Sequence, residues 1–356
     1  MDLEKGPLIN IIVFIAKEGT YLFIRIHHLV IDGLSWQILI EDFSMGYEQY
    51  LQSKELVLNP KTASFMEWSE QLNTYGETIY VDETAYWLNI LQQANEGLLL
   101  GKSKTNIGIV KVGRLKVDFD VEITQALLYK SAKAYNTQTI DILLTALGLA
   151  VYCLTGQSIL AIALEGHGRT SLNNICVDRT IGWFTNIYPV IIHTEDDIKE
   201  SLIGNKEMLR QIPNSGIGYG LIRKKHIEYE ENSVFDICFN YHGIEPKAKK
   251  AGKNVILMNE SCYEDKIPIQ NGITHNIVIN GVIDGGKLSY DILFREGIIK
   301  RDFVERFAKM LHNSLHNVII HCIRQVKSFN TVSDFGILDI DTSDFEVLNE
   351  FITDIL

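Results

Sequence analysis

The sequence predicts an α/β fold, and three stretches carry that prediction. YLFIRI, from Tyr21 to Ile26, alternates like a strand and runs through HHLVIDG into LSWQILIEDF. In the segment that follows, Trp36, Leu39, Ile40, Phe43, Tyr47 and Tyr50 recur at helical spacing. Between about Thr139 and Leu154, Ile140, Leu143, Leu144, Leu147 and Val151 line one helical face, and Gly156 follows as a stop. SILAIALEGHGR then alternates small and large apolar residues before a turn flanked by glycines.

Taken in order, the elements begin with strands at Leu8 to Ile15 and Tyr21 to Ile26. Leu22, Ile24, Ile26 and His28 share one parity, so a continued strand puts His28 on its most apolar face and sends Arg25 and His27 the other way. Asp32 and Gly33 read as a tight turn into the first helix. SFMEWSEQL and AYWLNIL are helical, and Gly97 to Gly108 reads as a linker. Gly113 to Phe119 follows as a strand and Ile123 to Tyr135 as a helix. In the SILAIALEG strand Glu165 shares parity with Ala161 and Ala163, small neighbours that leave room beside a carboxylate. Further on, Phe235, Ile237, Phe239 and Tyr241 share one strand parity.

Composition narrows the function. A chain of 356 residues, 46% hydrophobic, is long enough for two ordinary domains with a sizeable core. Runs such as LINIIVFIA and VILMN fall short of the roughly 20 residues a membrane helix needs, and no stretch has secretory order. A cytoplasmic protein without a membrane partner is expected. The cysteines Cys153, Cys176, Cys238, Cys262 and Cys322 are widely spaced with no CxxC pair, so packed thiols are expected rather than disulfides or a metal site. A formal charge of −12 counts against nucleic acid, whose phosphates call for clustered Lys and Arg. Two short basic runs, Arg223 to His226 and Lys247 to Lys250, read as solvated surface; either could steer an acidic protein partner.

An isolated histidine pair is ordinarily a hydrogen-bonded core feature. A glutamate ending a strand is ordinarily exposed. Here, however, both stand in longer patterns. HHLVIDG has the form HHxxxDG and resembles the signature of the superfamily that contains chloramphenicol acetyltransferase and the condensation and epimerization domains of nonribosomal peptide synthetases. The extended HHLVIDGLSWQILIEDF looks most like the epimerization branch, and EGHGR at Glu165 to Arg169 resembles the motif that separates that branch from condensation domains. DILLTALG at Asp141 to Gly148, RTIGWFTNIYPV at Arg179 to Val190, PNSGIGYG at Pro213 to Gly220 and FNYHGI at Phe239 to Ile244 agree with the same family in order and spacing. Departures are His242 and Ile244, where Leu and Gln are usual, and Thr170, where an acid is common. The glycine-rich PNSGIGYG is not the spacing of a dinucleotide fold and lacks the lysine of a phosphate loop.

The resemblance implies two chloramphenicol acetyltransferase-like lobes, each an α+β two-layer sandwich, in a V-shaped pseudodimer. The expected division is 1–106, a partial N-terminal lobe carrying HHLVIDG, and 107–356, a C-terminal lobe carrying EGHGR and FNYHGI. MDLEKGPLINIIVF looks like the strand just before HHxxxDG, so the N-terminal lobe is expected to be incomplete. The substrate implied is an aminoacyl or peptidyl thioester on the phosphopantetheine arm of a peptidyl carrier protein, with upstream or downstream synthetase modules as partners. No metal and no cofactor of its own are expected. Inverting Cα calls for one acid/base group on each side, and His and Glu suit this near neutral pH. His28, Glu165 and Tyr241 are the candidate catalytic residues, with His28 and Glu165 expected to face one another across a cleft between the lobes. His27, Asp32, Gly33, His167, Arg169 and Asn240 are candidate supporting residues. Asp32 is expected to pair with Arg169 or Arg179, because an unpaired buried carboxylate is costly. His167 is either structural or orients Glu165. Two alternatives stand beside this reading: a condensation or acyl-transfer domain, and a truncated, inactive remnant.

Overall fold

The computed structural model describes residues 1–78, 83–99, 111–170, 172, 175–226, 235–245, 273 and 275–335. The Lys247 to Lys250 run, Cys262, most of the expected linker and the C-terminal segment from 336 lie outside them. Eight strands and nine α-helices are assigned among the described residues: β1 Ile9–Ala16, β2 Gly19–Ile26, α1 Gly33–Leu51, α2 Phe65–Thr78, α3 Glu83–Ala94, β3 Val112–Asp118, α4 Val121–Tyr129, α5 Ala132–Tyr135, α6 Thr139–Thr155, β4 Ile159–Gly166, β5 Asn186–His193, α7 Ile198–Arg210, α8 Ile217–His226, β6 Ile237–Ile244, β7 Ile277–Asp284, β8 Lys287–Arg295 and α9 Arg301–Arg324. This is the mixed α/β class predicted. The single helix expected over Ile123 to Tyr135 is broken into α4 and α5, and α5 ends on Asn136 in the left-handed region. Cys238 and Cys322 are packed as expected, whereas Cys153 and Cys176 are exposed.

The chain divides into two compact units. One comprises Met1–Tyr80 and His167–Asn186; the other takes in Val81–Gly166, Ile187–Lys247 and the later described residues. In the second unit six strands form one sheet in the order β3-β8-β7-β6-β4-β5, with β4, β6 and β7 parallel and β3 and β7 antiparallel to β8. Leu288, Tyr290, Ile292 and Phe294 of β8 and Ile277, Ile279 and Ile283 of β7 form its buried face. Phe119 bridges Tyr290 to His312 of α9, which places α9 on that face. α6 is buried along most of its length because its apolar residues exceed one stripe, and Gly156, at φ +75°, ends it where a side chain would be strained. No single helix among the described residues is long and apolar enough to cross a membrane.

PNSGIGYG serves packing. Asn214 and Ser215 take positive φ, and Gly216, at φ +78°, leaves no room for a Cβ beside the Tyr188 ring. Tyr188 and Tyr219 meet Trp87, whose Nε1 donates to Glu83, and Asn214 donates to the same carboxylate. The glycine-rich loop therefore closes an aromatic cluster.

In the first unit, among the described residues, β1 and β2 pair only with each other. Their register puts Ile9, Ile11, Val13, Ile15, Leu22, Ile24 and Ile26 on one face and Ile12, Phe14, Tyr21 and Phe23 on the other. Ile11 is 63% and Ile15 86% exposed, and Phe43, Tyr47 and Tyr50 of the α1 stripe are exposed too. An isolated two-stranded ribbon with two apolar faces and an uncharged edge invites pairing. Concentration-dependent association is expected, reduced by Val13→Lys; a single monomeric peak in light scattering at high concentration would contradict this.

Candidate active site

HHLVIDG does not continue the strand. β2 ends at Ile26, and His27 caps a single 3-10 turn, His28–Val30, its Nδ1 accepting the Leu29 N–H at 3.1 Å. The parity extended to His28 therefore does not apply. Its imidazole is exposed and meets the Trp183 ring edge-on, the centroids 5.4 Å apart. Asp32 and Gly33 lead from this turn into the helix, as expected. Asp32 is the N-cap of α1, its Oδ1 accepting the Ser35 N–H at 2.7 Å, and Gly33 is the first helical residue with open space where a Cβ would stand.

Asp32 is also the centre of a buried network, and its partner is Arg169. The guanidinium Nη2 donates to both Asp32 oxygens, at 3.0 and 3.2 Å, and to Ser35 Oγ at 2.8 Å, while Nη1 donates to the Val177 and Thr180 carbonyls. Asp32 Oδ2 accepts the Phe184 N–H, the Asp32 N–H donates to the Gly182 carbonyl, and Ser35 Oγ exchanges two bonds with the Gly182 backbone. The Arg169 carbon also lies 4.1 Å from the Phe184 ring centre, a cation–π contact. Both charged side chains are about 95% buried, yet each carboxylate oxygen and both terminal guanidinium nitrogens are bonded. Arg179, the other candidate, pairs instead with Glu41 and Asp42 of α1.

His167 is exposed, and its Nδ1 accepts the Arg169 N–H at 3.0 Å, closing the turn locally. Gly168, at φ +65°, is obligatory, since an added Cβ would sit 1.7 Å from the Phe184 carbonyl oxygen. Gly168→Ala is expected to destabilise the first unit by more than about 1–3 kcal/mol, the cost of a non-glycine residue in that conformation, before the clash is counted. An unchanged melting midpoint would contradict this.

The other candidates lie in the second unit. Glu165 is half-buried near the end of β4. The parallel register Ala163↔Cys238 and Leu164↔Phe239 carries forward to bring Glu165 beside Asn240 on one face of the sheet. Burial, with the Glu165 charge adding, pushes the Cys238 thiol up to about 12, as expected of a group on that same face. Asn240 is 8% exposed, and its Nδ2 lies 3.3 Å from His242 Nε2. Tyr241 projects to the opposite face with Ile237 and Phe239. Its ring lies over Gly281, beside Tyr290, and burial pushes its phenol up to about 12. Just beyond it, between Tyr241 and Ile244, the β6–β7 register shifts and Gly243 takes φ +77°; such bulges often re-aim side chains at functional sites. Asn240, rather than Tyr241, is thus the neighbour of Glu165.

Sequence reasoning had no role for Ser35, Gly182, Trp183 or Phe184, although the last three stand in RTIGWFTNIYPV. Nothing local marks a serine two residues past HHxxxDG's glycine as a partner for a loop nearly 150 residues away. Among the described residues no group of three His, Cys, Asp or Glu is arranged to hold a metal ion.

The Condensation domain family model matches residues 1–339. The chain belongs to the condensation-domain family. It is 34% identical to bacitracin synthase 3 of Bacillus licheniformis over 94% of its own length and 5% of that protein. It is 32% identical to gramicidin S synthase 1 of Brevibacillus brevis over its whole length and 34% of that protein. The chain thus spans about a third of one of these relatives and a twentieth of the other. Among solved structures, the epimerization domain from the third module of tyrocidine synthetase B superposes with a TM-score of 0.75 and 33% identity, covering 91% of this chain and 74% of that one. The condensation domain of the Monacolin K polyketide synthase, at 16% identity and a TM-score of 0.65, shares the fold. This condensation-family chain therefore has the chloramphenicol acetyltransferase-like fold expected of it.

Proposed function

We propose that this condensation-family chain is an epimerization domain, inverting Cα of an aminoacyl or peptidyl thioester carried on the phosphopantetheine arm of a carrier protein in a nonribosomal peptide synthetase. The observation that carries the reading is Glu165. It lies half-buried one residue before the end of β4, with Ala161 and Ala163 before it and Asn240 beside it, in an EGHGR segment whose arginine anchors Asp32 of the histidine motif. Amine acylation needs one base; inversion needs a second acid/base group, and this glutamate supplies it. The likeness to a solved epimerization domain supports the same branch.

The α-proton is acidified because the thioester carbonyl delocalises the carbanion as an enolate. One of His28 and Glu165 removes that proton and the other delivers one to the opposite face, the roles exchanging with the direction of reaction. The Asn240 carboxamide is placed to orient either the carboxylate or the enolate oxygen. The Asp32–Arg169 network contributes rigidity, holding the turn that begins at His28 so that imidazole and substrate keep a reactive geometry. The test is α-proton exchange of an aminoacyl thioester on a phosphopantetheinylated carrier protein in deuterated water, read by mass spectrometry with chiral analysis.

A further inference from the structure

We propose that Asn280 is a substrate-positioning residue whose carboxamide hydrogen-bonds a secondary amide of the thioester-borne substrate. This inference rests on the thioester reading above. β7 lies inside the sheet, between β6 and β8, and alternates strictly: Ile277, Ile279, Gly281 and Ile283 are buried against the helical face, while Val278, Asn280 and Val282 are half-buried on the other. Asn280 is the sole polar residue of that second set. Asparagine is among the poorest strand formers, and an interior strand flanked by valines on the same face is where it costs most. Gly281, the other poor strand former, is explained by packing, since Tyr290 and Tyr241 occupy the space of its side chain. Asn280 has no such account. Its side chain makes no hydrogen bond to any described residue, so its two donors and its acceptor are left for something else.

Its place in the register says what that is. Asn240 and Asn280 are direct partners across β6 and β7, and Asp291 of β8 follows on the same row. Asp291 is held by Arg114 of β3, at 2.6 Å, which leaves the two amides as the neutral stretch of the row. Glu165 stands at the other end, beside Asn240, so Asn280 is two strand spacings, about 10 Å, from the proposed acid/base group. A neutral carboxamide with donor and acceptor both available matches a secondary amide, which presents one of each, better than it matches a charged group. Under the thioester reading, amides occur in two places: along the pantetheine arm, and in the peptide bond preceding the residue to be inverted. A local departure from strand chemistry, without internal compensation and in line with a candidate catalytic group, is the pattern of a binding position.

The experiment measures binding in a Glu165→Gln background, so that it does not depend on turnover. Aminoacyl-pantetheine and dipeptidyl-pantetheine thioesters are titrated calorimetrically against proteins carrying Asn280, Asn280→Val or Asn280→Thr. Valine suits the strand, so a melting curve no lower than that of the parent shows that folding is intact. The expected result is a Kd raised about threefold to tenfold by Asn280→Val, the range of one neutral hydrogen bond, and partly restored by Asn280→Thr. A loss on both thioesters assigns the amide to the arm; a loss on the dipeptidyl compound alone assigns it to the peptide bond. Equal binding of both compounds by all three proteins overturns the proposal. In the exchange assay with intact Glu165, Asn280→Val should raise KM and leave kcat within about twofold. Absence of exchange in the unaltered protein, with the Kd difference preserved, would defeat the epimerase reading and leave the binding role of Asn280 standing.

Discussion

Glu165→Ala is expected to lower α-deuterium incorporation into a carrier-bound aminoacyl thioester by at least about 10²-fold, the lower end of what a positioned acid/base group contributes. His28→Ala should do the same. The two lesions differ in what they leave behind. In a two-group inversion, removing one group blocks formation of the opposite enantiomer while the surviving group still exchanges protons on its own side. Each variant, given pure L or pure D substrate, should therefore show slow wash-in with retention from only one of the two enantiomers, and the favoured enantiomer should switch between variants. A condensation domain predicts something else: no exchange in the unaltered protein, and acyl transfer to an aminoacyl acceptor that depends on His28 and not on Glu165. Exchange that survives Glu165→Ala undiminished would rule out the assignment of this carboxylate. Tyr241→Phe should cost less than either, because the ring lies on the opposite face of the sheet from Glu165 and Asn240.

Arg169→Ala should be the most damaging single substitution for folding. It strips a 95% buried carboxylate of its counter-ion and removes one donor each from the Val177 and Thr180 carbonyls and from Ser35 Oγ, of which the Val177 carbonyl keeps the Thr180 N–H and Ser35 Oγ keeps the Gly182 N–H. Breaking a buried pair from one side costs about 3–5 kcal/mol, mostly for the orphaned charge. Arg179→Ala is the internal control. Arg179 is partly exposed and its partner Glu41 more so, which limits that loss to about 1 kcal/mol. Three of the four tryptophans, Trp36, Trp68 and Trp183, belong to the same unit as Arg169, so fluorescence-monitored urea unfolding reports mainly on that unit. The expected midpoint falls well below the parent for Arg169→Ala and barely moves for Arg179→Ala. Arg169→Lys should resemble the alanine variant, since an ammonium cannot reach the carboxylate, the hydroxyl and two carbonyls from one planar fork. Equal midpoints for Arg169→Ala and Arg179→Ala would refute this account of the network.

Much of the molecule follows from local pattern. The six-motif order, the helix at Thr139–Thr155 with its Gly156 stop, the paired strands before the histidines and the strand carrying Glu165 near its end are all written in short stretches of chain, because propensity and side-chain period act over a few residues. One short-range expectation, the strand parity extended to His28, failed for an equally local reason. His27 turns its own ring back onto the Leu29 N–H and ends the strand, while Asp32 caps the helix that the turn was expected to enter.

What sequence could not supply is the phase between distant segments. Parity placed Glu165 with Ala163 and Tyr241 with Phe239, each correctly within its own strand. Only the pairing of Ala163 with Cys238 reveals that the two sets face opposite ways and that Asn240 is the neighbour of Glu165. Likewise two arginines were equally good partners for Asp32 until the chain was folded. Arg169 reaches it because Gly168 lets the backbone press against Phe184, and Arg179 is carried to Glu41 and Asp42. A strand's own alternation is set by its φ and ψ, but which residue lies across from it depends on long-range register and on the total packing and hydrogen bonding that one register satisfies better than its alternatives.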